Sequence, residues 1–88
     1  MKKKNKESIS DKLKLPKDIT MGSCILTAVG DTEIWIENYR GIIEYTDEMI
    51  HIQGKNTHII IEGKRLVIDY YSNEDMKILG CIRTIRYQ

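Results

Sequence analysis

At 88 residues the chain is long enough for one domain, which excludes a multi-domain enzyme. Charged residues make up 31% and hydrophobic ones 41%, a globular rather than a disordered composition. The net charge of +1 is unevenly spread: residues 1–18 carry seven Lys against Glu7, Asp11 and Asp18, a net +4, while the remainder carries seven basic and ten acidic residues, a net −3. A basic arm on an acidic body is therefore the electrostatic layout, and lysine-rich termini are most often solvated tails.

The apolar content points to strands. Phe is absent and 16 residues are Ile, a β-branched side chain that is stiff at χ1 and packs well on a pleated surface. The spacing predicts one short helix over Glu7–Leu15: Ser8 or Ser10 caps it, Ile9 and Leu13 share a face, and Pro16 stops it. Residues 1–18 are thus read as a basic tail with a short helix, and residues 19–88 as a small all-β domain.

From Ile19 onward the period is two. The predicted strands are Ile25–Val29, Thr32–Asn38, Gly41–Tyr45, Met49–Gln53, Thr57–Glu62, Leu66–Tyr71 and Met76–Tyr87, seven short and mainly antiparallel segments in a sandwich or roll. Gly30-Asp31, Arg40-Gly41, Gly54-Lys55-Asn56 and Gly63-Lys64 read as tight connections, and Ser72-Asn73-Glu74-Asp75 as an exposed loop. Ile34 and Ile36 share one face opposite Glu33, Trp35 and Glu37. Likewise Ile50 and Ile52 oppose Met49, His51 and Gln53, and Leu66, Ile68 and Tyr70 oppose Arg65, Val67, Asp69 and Tyr71. The last strand changes phase between Ile82 and Ile85, which calls for a bulge near Arg83 or for burial on both faces. Ile61-Glu62-Gly63 is echoed by Ile78-Leu79-Gly80, a similarity that chance accounts for in an Ile-rich strand protein.

No signal peptide or membrane-spanning run is visible, so the chain is read as cytosolic. Cys24 and Cys81 are expected to be buried small hydrophobes rather than a bridge. Together with His51 and His58 they lack the close pairings of a zinc site, so no metal and no cofactor is implied. Enzyme signatures fail as well: there is no glycine-rich phosphate loop, nucleophile elbow or metalloprotease motif, and the acid pairs Asp47-Glu48 and Glu74-Asp75 fall in turns. The chain is read as a non-enzyme. The candidate binding residues are Trp35, Tyr39, Arg40 and Tyr45, types enriched at binding hot spots. The competing reading packs Trp35 beneath the N-terminal helix, with Ile9 and Leu13 as its lid.

The run Ile25-Leu26-Thr27-x-Val29-Gly30, then Ile34-x-Ile36-Glu37-Asn38-Tyr39-x-Gly41-Ile42, resembles the opening of the YabP/YqfC family of sporulation proteins. The continuation fits it too: Tyr45, Ile50-x-Ile52, Ile59-x-Ile61-x-Gly63-x-x-Leu66-x-Ile68 and Ile78-x-Gly80-x-Ile82-x-x-Ile85-x-Tyr87. The upstream Lys12-Leu13-x-Leu15-Pro16-x-Asp18 is similar to the leader of the YqfC branch. The resemblance makes Gly30, Glu37, Asn38, Gly41, Gly63 and Gly80 pattern residues of structural weight. It implies a small non-enzymatic protein of the mother cell of a Gram-positive spore former, with a membrane-anchored sporulation protein as the natural partner and membrane contact only peripheral. Self-association into a homo-oligomer is a further expectation. The alternative is a small nucleic-acid-binding β-barrel, which the net −3 of residues 19–88 disfavours.

Overall fold

The computed structural model describes residues 22–88; the predicted helix and basic tail lie outside the described residues. Six antiparallel strands form one sheet: β1 (Ile25–Val29), β2 (Glu33–Glu37), β3 (Gly41–Tyr45), β4 (Met49–Gln53), β5 (His58–Tyr71) and β6 (Asp75–Tyr87). Their spatial order is β1-β2-β6-β5-β4-β3. The all-β expectation holds, and no helix occurs among the described residues.

Six strands replace the seven expected because Thr57–Glu62 and Leu66–Tyr71 are parts of one continuous strand, β5. Gly63-Lys64 is not a hairpin turn. A turn there would pair the two flanking runs with each other, whereas both pair with β6, Ile61 against Ile85 and Ile68 against Ile78. At this midpoint the ladder is irregular. Glu62 faces Thr84 and Gly63 faces Ile82, leaving Arg83 as the extra residue of a bulge. This is the bulge that the phase change in the last strand called for. Arg65, at φ 56°, lies in a second irregularity between Lys64 and Val67.

These bends fold the sheet over on itself. Ile34, Ile36, Met76 and Ile78 from one half and Ile50, Ile52, Ile59 and Ile61 from the other share a single core with Leu66 and Tyr39. Most of these side chains are completely excluded from solvent. A single flat sheet would leave each of them open on its own face, so only the opposite half can cover them. The first half comprises β1, β2, the start of β6 and the end of β5; the second comprises β3, β4, the start of β5 and the end of β6.

The two halves repeat each other residue by residue. Ile34 pairs with Ile78 and Ile36 with Met76; in the second half Ile50 pairs with Ile61 and Ile52 with Ile59. The β1–β2 turn accepts the Gly80 amide on Thr32 O (3.1 Å) and the Ile82 amide on Asp31 O (2.8 Å). The β3–β4 turn accepts the Gly63 amide on Glu48 O (3.1 Å) and the Leu66 amide on Asp47 O (2.8 Å). The echo between Ile61-Glu62-Gly63 and Ile78-Leu79-Gly80 is therefore structural and not a matter of chance: the two tripeptides hold equivalent places in the two halves.

Two side chains tie distant segments together. The Tyr39 hydroxyl, at the β2–β3 connection, donates to Ser72 O in the β5–β6 turn. The Tyr45 hydroxyl accepts the Ile68 amide at 3.0 Å. Burial, with a lesser contribution from the nearby Tyr71, Asp75 and Tyr70, pushes the Tyr39 phenol above its ordinary range. Tyr39→Phe keeps the ring and removes the donor, so chemical denaturation is expected to show a loss of about 1–2 kcal/mol. An unchanged midpoint would show that Ser72 O gains nothing from the bond.

Candidate functional site

Alternation in β2 sends Ile34 and Ile36 into the core and leaves Glu33, Trp35 and Glu37 on the outer face. Beside them on β6 stand Asp75 and Lys77, since Glu37 faces Asp75 and Trp35 faces Lys77. An irregularity between Ile68 and Tyr70 then turns Tyr70 outward opposite Lys77. The expected common face of Leu66, Ile68 and Tyr70 is thus broken: Leu66 is buried and Ile68 packs against the core, but Tyr70 is 49% exposed. The bulge inserts Asp69 and inverts the parity.

The result is an open groove of about 610 Å³ lined by Trp35, Glu37, Asp69, Tyr70, Asp75 and Lys77. Lys77 Nζ sits 5.2 Å from the centre of the Trp35 ring and 3.9 Å from Asp69 Oδ2. An exposed cation–π contact of this kind contributes about 0.5–1 kcal/mol. The indole N–H donates to Glu33 Oε2, so the ring is held at one edge by a carboxylate and over its face by the ammonium. Ile25, Val29 and Val67 extend the exposed apolar surface.

The equivalent face of the second half is built differently. Where the first half has Trp35, the second has His51, whose Nε2 lies 2.9 Å from His58 Nδ1. Glu62 there accepts from Thr84 Oγ1 at 2.8 Å and from Arg86 Nε at 3.4 Å. Those hydrogen bonds hold the Glu62 carboxyl below the usual carboxylate range. The second half's face is thus built from histidines and a Glu62–Thr84–Arg86 cluster, while the first presents an indole and a phenol among carboxylates, with Lys77 between Trp35 and Asp69.

The four predicted binding residues do not form one patch. Trp35 lies in the groove and is 37% exposed, whereas Tyr39 belongs to the core at 9%. Tyr39 and the exposed Arg40 line a smaller cleft with Gly22, Asn38, Asn73 and Glu74. Tyr45 is on β3 in the other half. Tyr39, a binding candidate by its type, is instead a core residue in the connection beyond β2, where strand alternation does not set its direction. Tyr70, Asp69 and Asp75 were missed: the bulge that exposes Tyr70 leaves no mark in the alternation. Among the pattern residues, Gly30 (φ 59°) and Asn38 (φ 64°) supply left-handed turn conformations, and Asn38 Nδ2 donates to Ser23 O at 3.1 Å. Gly41 opens β3, Glu37 lines the groove, and Gly63 and Gly80 stand at the bends.

Residues 22–88 match the YabP family. The chain belongs to the YabP family. It is also 31% identical over 86 residues to the uncharacterized protein YqfC of Bacillus subtilis (strain 168), a match that spans 98% of this chain and 92% of that relative. No solved structure matches. Within this YabP-family chain no cluster of His, Cys, Asp and Glu suited to a metal occurs among the described residues. Cys24 and Cys81 are both free. Cys24 packs against the core, where burial pushes its thiol up, away from a reactive thiolate. Cys81 is exposed, contrary to the expectation of burial, because it sits on the outside of the β6 bend. Among the described residues no helix is long and apolar enough to cross a membrane.

Proposed function

We propose that this YabP-family chain is a non-enzymatic endospore-formation protein of the mother cell that docks a membrane-anchored sporulation partner by accepting a strand on β1. The observation that carries the reading is the contrast between the two edges of the sheet. β3 is blunted, with a register shift between Ile42 and Glu44 and a charge at Glu44. β1 runs in unbroken register with β2 from Ile25 to Val29, carries no charged residue and, among the described residues, has no neighbour on its other side. A regular uncharged edge offers unpaired amides and carbonyls to an incoming strand, which natural edges otherwise avoid by bulges and charges. The carboxylates around Trp35 disfavour the base-stacking alternative, because they would repel a phosphate backbone.

The test is an affinity pull-down of the tagged protein from sporulating cells after membrane solubilisation, run beside the double variant Ile25→Lys/Val29→Lys. Ile25 faces Glu37 and Val29 faces Glu33, so each lysine gains a cross-strand carboxylate and the hairpin persists. The expected result is a stoichiometric membrane protein with the parent, reduced at least about tenfold with the double variant at unchanged circular dichroism. Equal recovery with both would remove β1 from the interface. Recovery of the tagged protein alone would replace the adaptor by a self-assembling structural protein.

A further inference from the structure

We propose that the strand accepted by β1 is a basic one, an extended segment with Lys or Arg at the alternate positions beside Ile25, Thr27 and Val29 and apolar residues between them. This rests on the docking at β1 proposed above and adds the chemistry of the partner's segment. The pairing of β1 with β2 fixes which side chains an added strand meets. Ile25 faces Glu37, Thr27 faces Trp35 and Val29 faces Glu33, so these three residues of β1 share the outer face with the groove. The outward positions of an added strand lie about 5 Å from them, and about 10 Å, two strand spacings, from Glu37, Trp35 and Glu33.

Along that path the surface changes from apolar to acidic. Ile25 is 39% exposed and Val29 49%, and beyond them the face sets Glu33, Glu37, Asp69 and Asp75 against Lys77, a net −3. A short side chain would reach only the apolar row, and an acidic one would be repelled. Lys and Arg carry an apolar stem that lies over Ile25, Thr27 or Val29 and a cation at its end for the carboxylates. Lys77 makes this kind of contact from the β6 flank, with its ammonium over the Trp35 ring and Asp69 Oδ2 3.9 Å away. On the β1 flank the residue facing Trp35 is the short, uncharged Thr27. The second half fills the corresponding place itself, since Glu44 of its edge strand faces His51. The inner row of β1 asks for apolar partners: Leu26 packs against the core and Ala28 is exposed beside it. A second copy of this chain does not fit, because β1 supplies no cation and antiparallel pairing of two β1 strands would set two faces of net −3 side by side.

Trp35 is the chain's single tryptophan, so indole emission reads this face alone. The test titrates the full-length protein with the end-blocked peptide Ser-Arg-Val-Arg-Val-Arg-Ser and with two counterparts that carry Ser or Glu in place of every Arg. The Arg peptide should bind at least about tenfold more tightly than the Ser peptide, and the Glu peptide most weakly. N-methylation of the Arg amides and of the Val amides blocks opposite edges of the peptide, so one of the two should abolish binding and the other should not. In Glu33→Lys/Glu37→Lys, at unchanged circular dichroism, the Glu peptide should become the tightest; the milder Glu37→Gln should narrow the Arg preference. Equal affinity for all three peptides, each lost on methylation of one edge, would overturn the proposal and leave β1 as a docking edge. Arg-peptide binding indifferent to both methylations would overturn it by placing the cations in the groove without a paired strand. An indole emission that does not respond to the Arg peptide would overturn it as well, and the pull-down above decides the docking at β1 separately.

Discussion

Gly63→Ala is expected to be the most damaging single substitution in the chain, with a loss of about 3 kcal/mol or more that leaves little folded protein at 37 °C. A Cβ on Gly63 would stand 2.1 Å from the Cys81 carbonyl oxygen and 3.1 Å from Ile82 Cα. Both are backbone atoms of β6, so relief requires moving one long strand away from the other at the bend. Gly80→Ala should be nearly as severe: φ is 149° there, and the added carbon would lie 2.8 Å from Arg65 O and 2.9 Å from Leu66 Cα. Two controls give the scale. Gly41→Ala meets nothing within 4 Å and should be close to neutral. Gly30→Ala is equally uncrowded but holds φ at 59°, so about 1–2 kcal/mol of backbone strain is its whole cost. Urea denaturation of the four variants should therefore rank Gly63 and Gly80 well below Gly30, and Gly30 below Gly41. A Gly63→Ala protein as stable as Gly41→Ala would mean that β5 and β6 do not approach closely at their midpoints.

That close approach explains why the fold was only partly legible in the sequence. Alternation located β1 to β4 to within a residue or so, because each is a short strand with one buried face. The same logic split β5 in two, since a glycine between two apolar runs has the composition of a turn. A turn and a bend differ only in what the flanking runs pair with, and pairing is a long-range property. The phase change near Arg83 was readable because a bulge shifts parity within one strand, and enough apolar residues lie on either side to show it. The repeat went unrecognised because its copies share only an apolar residue and a glycine, and because one half takes its third strand from β5 and the other from β6.

The site was legible in one residue. Trp35 alternates cleanly with Ile34 and Ile36, so its outward direction followed from β2 alone. Tyr70 pointed the wrong way on parity, and the carboxylates Asp69 and Asp75 come from strand segments that only the fold brings beside Trp35. Tyr39 looked like a contact residue by its type, but its hydroxyl is used inside the molecule on Ser72. Residue types enriched at interfaces are also the types that fasten loops to a core, and only the partner atom separates the two uses.

The internal repeat makes a second quantitative demand, on the core. Ile61 and Ile78 hold equivalent positions, pair with the equivalent residues Ile50 and Ile34, and are both fully buried. Ile61→Ala and Ile78→Ala should each cost about 2–5 kcal/mol, the transfer of three carbons plus the cavity left behind. They should lie nearer to each other than either does to Ile68→Ala, whose side chain is only partly buried. The shared core adds a sharper condition. Trp35 reports the first half and amide exchange at Ile50 and Ile61 reports the second, yet the isoleucines of both halves cover one another. Loosening either half must therefore expose the other, and the two probes should give one midpoint in each variant. Separate midpoints, with Ile78→Ala releasing Trp35 while the Ile50 and Ile61 amides stay protected, would divide the sheet into two independent halves and remove the single core on which the folded architecture rests.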